Sequence, residues 1–447
     1  MTNSFTSLFV RDLCKNRPVA LDVSGALITW QKFETDISDL YSRLSTNSQD
    51  RWALCFDNSY WFAVSLFALA LADKDIVLPS NTSSKKALSD ISHHFDAILS
   101  DQYLSNECVV WHPEAGMCKC DMPKRILDNV NITLFTSGST GIATSIQKTF
   151  QQLANEVNIL QNLFGSYYLE CEVFGTVSHQ HIYGLLFRIL LPLSLGVPFS
   201  DTMLVYPDQV SSMSSSNRIL ISSPALLKRL TMEQVNIGYK KVFSSGGALP
   251  FESANQCSQL FGSTPVEVYG SSETGGIGWR VQNAMNEPWT VFPEVDVRCV
   301  NKSRLEVRSP FILQDHWWLT DDQVSLLPDG RFHLIGRADR IVKVSEKRIS
   351  LVEVEQRLQE FSEIQEAVAI ALDNGNRLEV AAVVVLTEEG SDKILAQGRF
   401  AFWSSVKHKL RDHIEPVGLP RRYRVVEQIP VNSQGKHEVS TLKELFA

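Results

Sequence analysis

The chain of 447 residues lacks any apolar run long enough to cross a bilayer. Its longest, residues 61–72, falls well short of the roughly 20 residues a spanning helix needs and is expected to form a buried helix. The N-terminus, MTNSFTSLFVRDLCK, has no apolar stretch of signal-peptide length and is interrupted by Arg11 and Asp12, so a cytoplasmic location is expected. Positive charge is not in excess. With 42 Lys and Arg against 50 Asp and Glu the net charge is -8, which argues against a nucleic-acid partner while leaving room for local basic patches. No GxxxxGK[ST] loop occurs, so the mechanics of P-loop NTPases are not implied. The 8 cysteines are scattered and fit reduced thiols rather than a disulfide framework. Their one cluster, Cys108, His112, Cys118 and Cys120, lacks the paired spacing of a zinc site.

What is present is an ordinary globular composition, 44% hydrophobic and 21% charged, at a length that allows about three domain-sized units. One stretch is hard to explain except as a cradle for phosphates. Apolar residues Ile132, Leu134 and Phe135 feed into Thr136, Ser137, Gly138, Ser139, Thr140 and Gly141, where every side chain is tiny or a hydroxyl. Glycines let the backbone approach closely, successive amides can point inward, and hydroxyls add donors. A solvated Ser/Gly turn is the plain alternative.

Around this stretch, apolar runs alternate with helical spacing: runs near 52–56, 76–79 and 95–99 with helices between them, then a strand over 145–149 and a helix over 151–164. That alternation is the signature of a parallel α/β layer. Residues 242–250, VFSSGGALP, and 266–276, VEVYGSSETGG, each read as a strand entering a Gly/Ser loop. With the run at 132 they suggest one crevice at the carboxyl ends of a sheet, where open α/β folds bind ligands. Gly270-Ser271-Ser272-Glu273-Thr274 nearly spells a hydrolase nucleophile elbow, but its last position is not glycine and an acid follows the serine. His179, His181 and Tyr183 precede a strongly apolar stretch and suit a pocket for a carboxylate with an apolar tail; the plain alternative is hydrogen-bonded polar residues at a helix start.

Further on, residues 317–335 read as two strands joined by a Pro-Asp-Gly turn, and a shift to charged composition at 336–340 marks a domain boundary. Beyond it, Ser350 and Glu353 form a capping box for a helix whose apolar face is Leu351, Val354, Leu358 and Phe361. Strands over 367–372 and 378–386 and a helix over 401–413 follow, together a small α/β body. Lys407, Lys409, Arg411, Arg421, Arg422, Arg424 and Lys436 are expected to gather on a basic face there, the alternative being a solvated charged surface.

Taken in order, Thr136 to Gly141, SSGGALP (244–250), YGSSE (269–273), Thr320 with Asp322, GRADRIVK (336–343), the helix start at 348–355 and PVNSQGK (430–436) resemble the adenylate-forming superfamily of acyl- and aryl-CoA synthetases. The closer similarity is to stand-alone acyl- or aryl-AMP ligases of bacterial aryl-polyene lipid biosynthesis. The resemblance implies an α/β fold with a large N-terminal domain of parallel-rich sheets, here 1–338, and a small mobile C-terminal domain, 339–447. It implies ATP and Mg²⁺, a small carboxylic acid substrate, and CoA or an acyl carrier protein's phosphopantetheine as acceptor. By the same resemblance, Thr136, Ser137, Gly138, Ser139, Thr140 and Gly141 hold phosphates, Ser272 touches the α-phosphate and Glu273 carries the metal. Gly247 and Tyr269 flank adenine, Asp322 with Arg337 holds the ribose, Asp339 is the hinge and Lys436 is the catalytic lysine. His179, His181, Tyr183, Gly246 and Gly270 line the acid pocket.

Three positions depart from the family pattern: Ala143-Thr144 replaces Pro-Lys, Asp321 replaces Gly, and Glu346 replaces Gly. The first removes a cation from the pyrophosphate side. Lys148 would have to replace it from about 13 Å further along an extended chain. The third places negative charge where a pantetheine arm would enter, which with the basic face favours a carrier protein as acceptor. A weakened, nucleotide-binding member of the fold is the rival reading.

Overall fold

The computed structural model describes residues 4–82, 85–102, 109–116, 120–137, 143–231, 238–301, 303–313, 316–344, 347–374, 378–411, 413–432 and 437–447. Two large mixed sheets dominate. The first has six strands in the order Val109–Trp111, Ala97–Ser100, Arg51–Cys55, Asp75–Leu78, β1 (Asn131–Ser137) and β2 (Ala143–Thr149). All run parallel except β2, which returns antiparallel along β1 from Thr136↔Thr144 to Asn131↔Thr149.

After β2, Thr149 and Gln152 cap each other reciprocally at the start of α1 (Phe150–Tyr168), a pairing that satisfies two orphan amides. Leu153, Val157, Leu160 and Phe164 form its buried stripe, so the helix expected from periodicity is present and runs one turn further.

The second sheet has nine strands. Its parallel centre includes β3 (Glu172–Gly175), β4 (Arg218–Ser222), β5 (Lys241–Ser244) and β6 (Val266–Ser271), and β7 (Gly275–Val281) folds back antiparallel on β6. One apolar core joins both sheets through α1 and the buried helix Ser59–Leu71, with Phe67, Leu153, Phe164, Phe187 and Phe243 among its members. No helix among the described residues is long and apolar enough to cross a membrane.

This arrangement corrects one expectation. The strand before the glycine-rich loop, β1, does not share a sheet with β5 and β6; it lies in the six-stranded sheet and they lie in the nine-stranded one. The cause is β2, whose antiparallel return keeps the chain on the first sheet before α1 carries it across. Besides the two parallel-rich sheets, Asp296–Val300, Arg304–Arg308, β8 (Trp318–Leu326) and β9 (Phe332–Arg337) form a wholly antiparallel sheet, with the turn at Gly330 in the left-handed region at φ 84.

The C-terminal part has its own core. The helix α2 (Leu351–Gln359) starts where Ser350 Oγ accepts the Glu353 amide at 3.2 Å, and buries Leu351, Val354 and Leu358. It packs on the antiparallel pair β10 (Ile364–Asp373) and β11 (Leu378–Leu386), to which β12 (Arg422–Val425) adds in parallel. Side-chain alternation along these strands makes two apolar faces. Ala369, Ala382 and Val384 meet α2 and α3 (Arg399–Leu410), while Val368, Ile370 and Val383 meet Leu442 and Phe446 of the C-terminal segment.

That alternation also divides the expected basic face. Tyr423 stacks on Trp403 of α3 at 4.0 Å, so its neighbours Arg422 and Arg424 point to the other side of the sheet. There they donate to the carbonyls of Phe446 and Leu445 and lie over the Phe446 ring. Lys407 and Lys409 stay with α3 on the opposite side. These four residues of the cluster therefore lie on two faces of one sheet, Arg422 and Arg424 engaged with Leu445 and Phe446, while Lys436 lies outside the described residues.

Candidate active site

Because β3, β4, β5 and β6 are parallel and in register, the segments that follow them leave the sheet along one edge. These are 176–181, 223–224, 245–247 and 272–274. Gly246 turns the chain in the left-handed region at φ 92, whereas a Cβ on Gly247 would meet only Pro224 at 3.9 Å. Protein packing thus does not demand glycine at 247, and the bare backbone there fits close approach of a flat ligand.

The loop is fixed from beneath. Glu267, buried on β6, accepts the Leu249 amide at 2.9 Å, and Gln282 bridges Leu249 O at 2.7 Å and Glu267 Oε1 at 2.6 Å. Arg280 completes the set, donating to Glu267 at 2.8 and 3.2 Å while its guanidinium lies 4.4 Å over the Trp289 ring. A buried carboxylate that accepts from this many donors is fixed in place and orients what it touches. The signal in the sequence was a charged residue inside an apolar strand, Val266-Glu267-Val268, and it was missed.

Trp289 in turn packs against Tyr269, the ring centroids being 5.4 Å apart, and Phe332, bridged to Trp289, lies 5.8 Å from the same ring. The Tyr269 hydroxyl donates to Asp322 Oδ2 at 2.6 Å. Burial, reinforced by the Asp322 charge, pushes the phenol well above its ordinary range, so it remains a donor. Asp322 and Arg337 are cross-strand partners on β8 and β9, and a guanidinium nitrogen lies 3.9 Å from Asp322 Oδ1. Three residues singled out in the sequence therefore meet, although Tyr269 comes from the nine-stranded sheet and the other two from the antiparallel one. Asp321, the second departure, pairs with Arg304 at 3.1 Å and lies 3.8 Å from Arg337, so the extra carboxylate is taken up at the strand surface.

Ser272 and Glu273 sit on the tight turn between β6 and β7. Gly270 is required by this hairpin itself, since a Cβ would come within 2.3 Å of Gly275 O. Glu273 is half-buried, and no hydrogen bond or ion pair engages its carboxylate among the described residues. An unengaged acidic oxygen pair is the donor type a hard divalent cation takes, so the residues present fit Mg²⁺.

Lys148, in contrast, is buried and donates to Phe311 O at 2.7 Å and Glu273 O at 3.3 Å. Burial lowers its pKa against the opposing pull of Glu156 and Glu273. It is a bridge between backbone segments, not a replacement cation on the pyrophosphate side. Thr136 and the backbone of Ser137 close β1, with Thr136 opposite the exposed Thr144. Gly138, Ser139, Thr140, Gly141, Glu346 and Lys436 lie outside the described residues, as does the side chain of Asp339 in the short turn Ala338–Arg340.

Of the acid-pocket residues, His179 is placed in the core. It is 2 % exposed, with Nδ1 3.0 Å from Ser59 Oγ and Nε2 3.1 Å from Phe56 O. Burial first, then the neighbouring Arg188, holds its pKa well below 6.5, so the ring is neutral with both nitrogens engaged and none left for a carboxylate. Arg188 donates to Ser59 Oγ at 2.9 Å and Thr202 O at 3.2 Å and completes this pin. His181 and Tyr183 follow at the start of the next helical turn on the same edge, the Tyr183 ring 5.0 Å from Phe187. Of the cysteine cluster, His112 Nδ1 lies 2.7 Å from Ser100 O and Cys120 is bonded to Ser38, while Cys108 and Cys118 lie outside the described residues.

Known proteins resemble this chain in sequence and in fold. A 4-coumarate–CoA ligase from Cereibacter sphaeroides is 24% identical over 310 residues, covering 68% of this chain and 69% of the relative. ATP-bound MatB from Rhodopseudomonas palustris superposes with a TM-score of 0.82 over 100% of this chain and 99% of its own, at 17% identity. A benzoate CoA ligase from Burkholderia xenovorans LB400 does so with a TM-score of 0.79, over 98% of this chain and 99% of its own, at 18% identity. The fold is the adenylate-forming enzyme fold, a large N-terminal α/β domain with mixed sheets and a small C-terminal domain. The model of the AMP-binding enzyme family matches residues 12–308 and that of the AMP-binding enzyme C-terminal domain matches 353–436, and the chain belongs to that family.

Proposed function

We propose that this chain activates a small carboxylic acid with ATP. A carboxylate oxygen attacks the α-phosphorus, the bond to the bridging oxygen breaks, pyrophosphate leaves, and an acyl- or aryl-adenylate forms. A phosphopantetheine sulfur, of CoA or of an acyl carrier protein, then attacks the acyl carbon and AMP leaves. The carrying observation is the assembly of Tyr269, Asp322 and Arg337, a ready ribose and adenine seat on the edge that also carries the unengaged Glu273 carboxylate. In this reading Glu273 holds Mg²⁺, whose charge neutralises the phosphates. Thr136 to Gly141 cradle them, Ser272 touches the α-phosphate and Lys436 faces the reacting oxygens. Residues 1–338 and 339–447 form the two domains with Asp339 as the hinge.

The acid is aryl or fatty, by likeness to relatives that are 4-coumarate–CoA and long-chain-fatty-acid–CoA ligases, and the setting is cytoplasmic lipid biosynthesis of the aryl-polyene kind. Pyrophosphate release across benzoic, cinnamic, hydroxy-fatty and fatty acids tests the proposal. Release with at least one of them is expected. Silence with all, at saturating ATP and Mg²⁺, favours the second reading, a nucleotide-binding member without turnover, which the burial of Lys148 and the bare Ala143-Thr144 motivate. The acceptor is decided by competing free CoA against an acidic holo-carrier protein at matched concentration. With the basic residues divided between two faces, Glu346 is what remains to favour the carrier protein.

A further inference from the structure

The turn that carries Glu273 is held at both ends by two buried ionisable side chains from one short stretch of chain. At its start, Lys148 Nζ donates to Glu273 O and Phe311 O. At its end, Glu156 Oε1 accepts the Gly276 amide at 2.7 Å. Gln152, from the same first turns of α1, adds a bond to Phe311 O at 3.2 Å. The fit is close. A Cβ on Gly275, which stands at φ 72, would come within 2.8 Å of Glu156 Oε2, and one on Gly276 within 3.1 Å of Oε1 and 2.4 Å of Phe292. Glycine at both places is thus needed to let the carboxylate reach the turn.

Lys148 and Glu156 are 2 % and 3 % exposed, and burying such charges is costly unless they are well engaged. Joining two sheets requires no charge; apolar residues of similar volume would do it at least as stably. What this pair supplies beyond adhesion is direction: one donor and one acceptor aimed at the two ends of a four-residue peptide segment. Both residues lie just past the glycine-rich loop, Lys148 on β2 opposite Ile132 of β1. The segment bearing Glu273 is thereby referenced to the strand pair that bears Thr136, although the two belong to different sheets.

We infer that Lys148 and Glu156 are positioning residues, a two-ended clamp that sets the Glu273 carboxylate at a fixed place relative to the strands flanking the glycine-rich loop. The inference rests on the reading of Glu273 as the residue that holds Mg²⁺. Its consequence is selective. Metal-dependent grip on the β- and γ-phosphates depends on the clamp, whereas the seat for AMP at Tyr269 and Asp322 does not.

Calorimetric binding of Mg·ATP and of AMP without metal tests this. Lys148→Met is expected to weaken Mg·ATP by about tenfold or more, the usual cost of losing a residue that orients a metal ligand, and to raise the Mg²⁺ concentration for half-maximal ATP binding, with AMP affinity unchanged. Lys148→Arg, which can still donate to both carbonyls, should recover most of the loss. Should Lys148→Met not fold, the double variant Lys148→Met/Glu156→Gln removes both charges together and carries the same measurement. Equal weakening of Mg·ATP and AMP, or no weakening of Mg·ATP, overturns the clamp. Wild-type protein that binds ATP without any dependence on Mg²⁺ overturns the assignment of Glu273 and the clamp with it, so the two failures are told apart.

Discussion

Replacing Tyr269 by phenylalanine takes away one oxygen atom and leaves the ring against Trp289 and Phe332 in place. The oxygen donates to Asp322 at 2.6 Å, and a hydrogen bond to a charged acceptor is worth roughly 1.5–3 kcal/mol. Asp322 keeps 15% of its side chain exposed and has Arg337 at 3.9 Å, so water and the guanidinium offset part of the loss. A net cost of about 1–1.4 kcal/mol remains, or about five- to tenfold in affinity for AMP and in KM for ATP. Titration calorimetry measures the first and pyrophosphate release the second. A cycle with Asp322→Asn isolates the pair, and the double variant should be less impaired than the sum of the singles because both remove the same contact. Thermal stability should fall little, since the ring stays packed. Unchanged AMP binding in Tyr269→Phe, alongside its loss in Asp322→Ala, would refute the idea that the phenol orients the carboxylate.

Other expectations are independent of that one. Lys436→Ala should lower adenylate formation by a few powers of ten, the effect of removing a preorganised charge of about 3–4 kcal/mol, while thioester formation from supplied acyl-AMP persists; equal loss of both half-reactions would contradict two domain orientations. Thr144→Lys places a cation on an exposed position opposite Thr136, and should lower KM for ATP with little change in kcat; an unchanged or raised KM would show that the missing cation is not what limits binding. His179 gives a pH signature. Its folded pKa lies below the unfolded 6.5, so between the two the unfolded chain binds a proton that the folded chain does not, and stability must fall as pH drops below about 6.5. Melting temperatures of wild type and His179→Gln across pH 5 to 8 should show the flatter slope in the variant.

How much of this was legible in the sequence depends on how local each cause is. The helix Phe150–Tyr168 and the β8–β9 hairpin follow from spacing, a capping pair and a Pro-Asp-Gly turn, all within a few residues. The membership of β1 in a different sheet from β5 and β6 does not, because it depends on β2 returning antiparallel instead of crossing over, and a seven-residue strand carries no mark of its neighbour. The meeting of Tyr269 with Asp322, proposed as the ribose seat, was legible only through likeness to a family, since the two come from separate sheets. His179 shows the limit from the other side. Its neutrality is set by Ser59, Phe56 and Arg188, residues whose proximity no local pattern reveals. The division of the basic residues could have been read from the period of two along 422–424, but only once that segment was known to be a strand with both faces covered.

The fate of Lys148 ties these threads to the chemistry. A lysine close behind a glycine-rich loop invites assignment to phosphates, yet what it meets is fixed by how deep along β2 it lies. On β2, Thr144 and Lys148 are an even number of residues apart, and they differ in environment because the strand runs from the exposed mouth of the loop into the space between the two sheets. At the start of β2 a side chain meets solvent; four residues deeper it meets Phe311 and the Glu273 carbonyl. The same cation that could have neutralised pyrophosphate instead fixes the turn bearing Glu273, the carboxylate proposed to hold Mg²⁺. Loss of the loop cation and possession of a buried one are then not exchangeable. Thr144→Lys should strengthen ATP binding in a protein whose clamp is intact, and should fail to rescue Lys148→Met, because a charge at the mouth cannot hold a peptide segment between the sheets.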